Sequence, residues 1–577
     1  MWRLPYSNRH GNSTFARDLH PALTVGCIAI GLAVTVFRLV IAANTPLVPC
    51  MMETCDDRML VEYAHSLVAG DWLGDYGWLT LAKRPGYAFF LVLPSLTGIS
   101  YQVLFIGLYA LACLVFVIAI EPLVRSRPVR LVLYAAMLYM PPLFTGELFQ
   151  RVYRMGIIVP FVLLVFSCCI AAYARRGDGI ARLVPWTIIA SIALPEFYLM
   201  REDSIWIVPF VATVALILVA SWIVAVRRRQ LTLGGVAARV GLLALPALCT
   251  GLALTLLAQT NFDHYGERTI CERSDSAFCD ATSQLVLIDA QGCDHVTWVS
   301  TAARDAALLA SPTLNQIRDE VLASWDAWGS GGEVPGDHAF WALMSAYDLS
   351  GRCVSGGETE AFWRDVTNEL REAFQDGRLA KKPGIRISSN IQPVQAEDFG
   401  WWMNDSAQNL WMLLSLEQAH TWRREGNGPI EEQVAAAELL RGRAAVEGTG
   451  VLSQPSSAWA LDASDGWIGL CRNLSLPMML FVVLGAVLVL YLALVRCDSS
   501  ACQALLILVG LALSGIELVV AVTWFISFLG DLAVWATYMY CASFYVLSSM
   551  FVAIVVGVCA QGIMQMIAPR EEPQFQW

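Results

Sequence analysis

Ten apolar runs along the chain are long enough to cross a membrane, at about 20 residues per helical span. They cover 22–43, 102–123, 130–148, 155–174, 185–200, 205–226, 234–259, 474–495, 503–528 and 541–563. The stretch 86–99 is apolar but short and contains Pro94, so it reads as a re-entrant or interfacial piece, or as the start of a longer second span. The first run has no small-residue cleavage site after it, which predicts a retained anchor. Helical periodicity of another kind appears just after that run. Leu60, Tyr63, Ala64, Leu67 and Val68 share one face, with Arg58, Glu62, His65 and Ser66 opposite. This predicts an amphipathic helix of about three turns, ended by Gly70 and suited to lying on the membrane surface.

Between the seventh and eighth runs, 260–473 alternates polar and apolar residues as a soluble domain of about 210 residues does. Phe362, Val366, Leu370 and Phe374 lie on one helical face, and strand signals are scarce, so this domain is expected to be mainly helical. The expected fold class is an all-α polytopic membrane protein of about ten transmembrane helices. Residues 1–259 form a transmembrane core carrying the first outer loop (44–101). The soluble extracytoplasmic domain spans 260–473, and 474–577 holds the C-terminal helices and a cytoplasmic tail.

Composition agrees with that pattern and narrows the classes. Of 577 residues 56% are hydrophobic and 15% charged, with a mean hydropathy of +0.55. A water-soluble chain carries about 25% charged residues, so a disordered protein, a nucleic-acid binder and a plain cytosolic enzyme are excluded. The net charge of −11 is uneven. Region 260–473 contains 31 acidic and 16 basic residues, whereas arginines crowd the short loops on the other side: Arg125 and Arg127, then Arg175, Arg176 and Arg182, then Arg227, Arg228 and Arg229. With Arg3, Arg9, Arg17, Arg496 and Arg570 on the same side, the positive-inside rule predicts a multi-pass plasma-membrane protein with both termini cytoplasmic. Cys50, Cys55, Cys271, Cys279, Cys293 and Cys353 then fall on the oxidising side, where disulfides are permitted but spacing does not define a pairing.

Charge is scarce enough that what remains at the outer face draws attention. Asp56 and Asp57 open the amphipathic helix; one Asp suffices as an N-cap, and a second carboxylate there suits a general base. Lys83 and Arg84 adjoin the apolar 86–99 segment, at a height suited to a lipid phosphate or to snorkelling cations. Glu147, Arg151 and Arg154 are spaced along one helical face, with Tyr153 among them. Arg201, Glu202 and Asp203 form the turn before the sixth run. Of the charges that fall inside runs, Arg38 is expected to snorkel outward and Glu517, mid-way along the ninth, to be a pairing residue.

Several stretches carry a family likeness. The acidic pair after the first span, the run Gly70-Asp-Trp-Leu-Gly74 with Leu79-Thr-Leu-Ala-Lys-Arg-Pro-Gly-Tyr87, and the Arg151-Val-Tyr-Arg154 and Arg201-Glu-Asp203 turns are its main elements. Asn261-Phe-Asp-His-Tyr-Gly266 and Glu333-Val-Pro-Gly336 add to them. Together they resemble the multi-spanning GT-C glycosyltransferases, in particular bacterial relatives of the dolichyl-phosphate-mannose protein mannosyltransferases. The resemblance implies inverting transfer of a sugar from a polyprenyl-phosphate donor, on the extracytoplasmic face, to a cell-envelope glycan, glycolipid or protein. It implies a base at Asp56 or Asp57 and phosphate binding by Lys83, Arg84, Arg151, Arg154 and Arg201. Glu147, Tyr153, Glu202 and Asp203 would orient the substrates. The chain departs from the pattern at Ala536-Thr-Tyr-Met-Tyr540, where relatives carry Arg-Tyr and a proline.

The chemistry supports this independently of the likeness. A departing phosphate accumulates negative charge that fixed cations stabilise, and single displacement needs one base. No Gly-rich phosphate loop or Asp-x-Asp stands on the cytoplasmic side, so a lipid-linked donor is expected rather than a nucleotide sugar. No cofactor is implied; a divalent cation has room between the acidic clusters, but no ligand spacing demands one. The bilayer, the donor and the acceptor are the expected partners, with no nucleic acid. The alternative, a transporter or flippase of lipid-linked glycans, favours midplane charges and repeated halves, whereas here the charges crowd the outer interface and the two halves are unlike. A non-catalytic scaffold would leave the outer charges without a role.

Overall fold

The computed structural model describes residues 21–567; Arg3, Arg9, Arg17 and Arg570 lie outside them. The chain is an all-helical polytopic membrane protein. Among the described residues nine helices are long and apolar enough to cross a membrane: Leu23–Asn44, Tyr101–Ala119, Arg154–Ala174, Ile180–Met200, Ser204–Arg227, Leu233–Tyr265, Ser475–Leu494, Ser499–Gly530 and Ala542–Met564. Only isolated β-bridges interrupt the helical pattern among the described residues. Helix Arg154–Ala174 is the hub: 89% of its apolar window is buried, against 6% for Leu233–Tyr265 at the periphery.

The tenth expected span, 130–148, is a broken helix. Arg127–Leu138 is regular, after which Pro141–Phe144 tightens into a 3₁₀ turn and Gly146–Gln150 opens into a wide π turn. Pro141 and Pro142 supply no N–H and force Met140 into an extended conformation (ψ 120°), so the α-helix cannot continue. Side chains take up the freed carbonyls: Tyr109 donates to Met137 O (2.6 Å), Trp467 to Tyr139 O (2.7 Å), and Arg38 to Leu143 O (2.7 Å). A broken segment is tolerated at this depth only when its backbone is satisfied by protein in this way. Arg38 therefore does not snorkel. It is fully buried, with its guanidinium 3.8 Å from the Phe144 ring centroid.

Glu517 also departs from expectation. It stands on the exposed side of Ser499–Gly530, beside a groove of about 240 Å³ lined by Phe210, Thr213 and Ser514, and forms no ion pair among the described residues. The only basic residues on the two facing helices, Arg154 and Arg227, sit at helix termini and not among the groove residues.

The 86–99 piece is a twelve-residue helix, Gly86–Thr97, ended by Gly98 at φ 71°. Helix Met59–Ala69 packs on it with Met59, Leu60, Val61, Tyr63 and Ala64 buried, and Gly70 at φ 89° ends it as the sequence predicts. In the segment 266–474, helix Gly356–Gln375 buries Phe362, Val366 and Leu370, with Phe374 half-buried. That segment is tied to the first loop by the bridges Leu47–Ala444 and Cys50–Asn427, and Val48 bridges to Arg151. All cysteines are free.

One close approach sets the geometry that follows. A Cβ on Gly156 would fall 1.9 Å from Leu148 O, so the hub helix meets the π turn backbone to backbone. Gly156→Ala should destabilise the protein by at least about 1–3 kcal/mol, read as a lowered thermal midpoint of the purified protein. An unchanged midpoint would mean that this contact is not maintained.

Candidate functional site

The wide turn Thr54–Arg58 leads into helix Met59–Ala69, and neither Asp56 nor Asp57 caps that helix through its side chain. Their carboxylates are engaged elsewhere and in different ways. Asp57 is fully buried and receives Arg151 in a bidentate pair, Nε to Oδ1 at 2.8 Å and Nη2 to Oδ2 at 2.5 Å. Burial pushes the Asp57 carboxyl up and Arg151 opposes that. Burial likewise works against the Arg151 charge, but Asp57 outweighs it and holds the guanidinium above its ordinary value. Asp56 is 32% exposed; its Oδ1 accepts from Lys83 Nζ and from Tyr153 OH (3.0 Å).

Lys83 is buried beneath this open carboxylate, and burial lowers its pKa well below the ordinary lysine value, with Arg154 repulsion adding and Glu202 opposing. Glu202 is gripped by Arg154 through both nitrogens at 2.8 Å and by Arg84 N at 3.1 Å. Burial works against the Glu202 charge, but Arg154, Lys83 and Arg84 outweigh it and hold the carboxyl below the usual range. Arg201 pairs with Asp203, Nε to Oδ1 at 2.7 Å, and faces the Tyr540 ring at 5.3 Å.

The structure thus brings together Asp56, Asp57, Lys83, Arg84, Arg151, Tyr153, Arg154, Arg201, Glu202 and Asp203 from three chain segments. They do not share one function by geometry. The Arg84 guanidinium donates to Tyr198 O and Arg201 O, both at 2.9 Å, and so fastens the 198–201 backbone. Glu147 lies apart. The expected single helical face through Glu147, Arg151 and Arg154 is not formed, because Arg151 and Tyr153 are extended and only Arg154 starts the hub helix. The bridge from Val48 to Arg151 holds that extension. Glu147 is instead buried under Trp422, which donates Nε1 to it at 3.1 Å.

Three further side chains join the site. Arg273, from beyond the seventh long helix, pairs with Asp337 and lies 4.2 Å from the Trp341 ring, over which Lys83 Nζ sits at 5.8 Å. Tyr540 and Trp535 close the opposite side; Trp535 lies 5.5 Å from Arg151. The departure at 536–540 is therefore filled by aromatic walls rather than by a cation. No local signal marks Arg273, because only the fold places residue 273 beside residue 83.

A divalent cation finds no ready donor set. Asp56, Asp57, Glu202 and Asp203 each face a basic group, and among the described residues no three His, Cys, Asp or Glu side chains are placed so that they could hold a metal ion.

No family model matches the chain, and no curated protein sequence matches it. Among solved structures it is similar to ArnT from Cupriavidus metallidurans in the apo state, with 13% identity and a TM-score of 0.31 over 96% of this chain and 82% of that one.

Proposed function

We propose that the protein is a GT-C-type membrane glycosyltransferase that moves a sugar from a polyprenyl-phosphate donor to an extracytoplasmic acceptor. One observation carries this reading: the accessible carboxylate of Asp56 rests on the buried amine of Lys83, which shares the Tyr153 ring with Arg151 and Arg154 and the Trp341 ring with Arg273. The acceptor is a cell-envelope glycan, glycolipid or protein.

In the proposed reaction an acceptor hydroxyl gives its proton to Asp56 as its oxygen attacks the anomeric carbon. The bond from that carbon to the phosphate oxygen breaks, its electron pair leaves with the phosphate, and the configuration inverts. Donor binding itself prepares the base. Lys83 is drawn from Asp56 toward the phosphate, whose charge favours the ammonium that burial disfavours, any proton the amine takes up coming from water, and the Asp56 carboxylate is left free to accept the hydroxyl proton. Arg201, beside Tyr540, and Arg273, beside Trp341, stabilise the departing charge in this reaction. Asp57, Arg151, Glu202 and Arg154 hold the backbone that carries these groups.

The test uses the full chain in vesicles with a polyprenyl-phosphate sugar labelled in the sugar, together with envelope acceptor. Release of polyprenyl phosphate with label passing to acceptor is expected, and Lys83→Met should lower the rate about 10²–10³-fold. Label that crosses the bilayer with its phosphate bond intact would replace this reading with a flippase.

A further inference from the structure

Outside the candidate site, three carboxyl groups are packed together where the segment 266–276 meets helix Gly356–Gln375. Glu267 and Glu272 are 5% and 4% exposed. Glu360, on the helix, accepts on both oxygens, from Ala277 N and from Arg364, each at 2.8 Å. Glu267 Oε1 accepts from Thr269, but its Oε2 is buried without a donor and is directed at Glu360. Glu267 is buried and Glu360 is 23% exposed, and two acceptors facing each other in this way are held together by a proton between them. There is no slack to separate them: a Cβ on Gly356 would lie 2.8 Å from Glu267 Cβ and 3.0 Å from its Oε2. Glu272 accepts from Tyr76 OH at 2.7 Å.

The charged neighbours do not relieve this crowding. Asp275 and Cys353 add negative or acidic character from the segment itself and the adjoining loop, and the Tyr76 hydroxyl of the 72–84 loop, donating to Glu272, offsets only part of it. Arg364 is taken by the outer oxygen of Glu360. Arg268 turns to Gln259 and the Phe262 ring, and Arg273 to Asp337. Burial and the neighbouring carboxylates push Glu272 up to about 8 and Glu267 up to about 7.

The segment these groups fasten also holds the loop bearing Lys83. Glu272 N donates to Leu81 O at 2.7 Å, Cys271 Sγ sits 3.3 Å from Ala82 O, and Arg273 shares Trp341 with Lys83. We propose that Glu267, Glu272 and Glu360 form a proton-dependent latch fastening 266–276, and with it the attached 72–84 loop, to helix Gly356–Gln375, so that the site loosens as the pH on its side rises. The proposed glycosyl transfer is needed only for the catalytic consequence; the latch itself is a property of the fold. The sign follows from the raised carboxyls. A group that binds its proton more tightly when folded contributes fully below its unfolded value, near 4.3, and loses that contribution as pH climbs through 7 and 8.

Hydrogen–deuterium exchange on the full chain in lipid nanodiscs tests this, from pH 5.5 to 8.5 with intrinsic exchange rates corrected. In the native chain, protection of 266–276 and 72–84 should fall about tenfold or more between pH 6 and 8.5. In Glu267→Gln the amide donates to Glu360 at every pH, so protection should persist. Glu272→Gln is the second variant and should shrink the fall. Protection that does not change with pH in the native chain, or an undiminished fall in both variants, would overturn the latch. A chain without transferase activity that still shows the pH-dependent fall would refute the proposed function and leave the latch standing.

Discussion

Asp56→Asn should lower sugar transfer by about 10²–10⁴-fold, the range a general base contributes, while leaving the thermal midpoint close to that of the native protein. The carboxylate is 32% exposed, so its loss opens no cavity and strands no buried ion. An asparagine carbonyl at the same place still accepts from Lys83 Nζ and Tyr153 OH, and burial already favours the neutral form of that lysine. What disappears is an acceptor for the proton of the attacking hydroxyl. The substitution should therefore reduce kcat far more than it raises KM, because in the proposed reaction the donor phosphate is held by Lys83, Arg201 and Arg273 and not by Asp56. Purified Asp56→Asn in vesicles, assayed for polyprenyl phosphate release beside the native chain, gives the measurement. Turnover within about threefold of native would remove Asp56 as the base. A variant that no longer folds would contradict the structural separation of Asp56 from Asp57.

That separation could not be read from the sequence. The two residues are adjacent, both suit the start of a helix, and either fits a base. Their difference arises from a partner 94 residues away, since Arg151 reaches Asp57 and leaves Asp56 open. What the sequence did make legible is the part governed by local composition. Nine of ten spans, the Gly70 stop and the buried face of Gly356–Gln375 follow from apolar length and helical period. The tenth span kept its length and composition but lost its helix to Pro141-Pro142, a conflict visible in the residues whose outcome depended on Arg38, Tyr109 and Trp467 arriving to satisfy the carbonyls. The same break defeated the helical spacing of Glu147, Arg151 and Arg154. In a charge-poor chain, sorting the remaining charges by side gathered nearly the whole site, but Arg273, hidden among many charges of an acidic region, gave no such contrast.

Removing either partner of the Asp57–Arg151 pair should cost about 3–5 kcal/mol of stability, the largest structural effect expected in this chain. Asp57 is wholly buried and Arg151 is 4% exposed, so neither has water to fall back on. Arg151→Met leaves a carboxylate with no cation in a site where burial already raises its pKa. That carboxyl would then take up a proton in the folded state, and the sign of the pH dependence follows. Its folded pKa lies above the unfolded value, near 3.9, so the variant loses stability as pH rises through the folded value and regains it on acidification. Asp57→Asn removes the opposite charge and leaves a buried guanidinium, which has no neutral form to adopt, so its deficit should not shrink at low pH. The double variant Asp57→Leu with Arg151→Met strands no ion and should recover a substantial part of the loss. Thermal unfolding of the four proteins at pH 5.5 and 7.5 reads all of this. Equal deficits for the two single variants at both pH values would mean that the pair acts through packing alone. If the pair instead bound the donor phosphate directly, the double variant would recover stability and lose donor binding altogether. If it holds the backbone, recovered stability should bring a measurable share of transfer back with it, because Lys83 and Asp56 would again be in place.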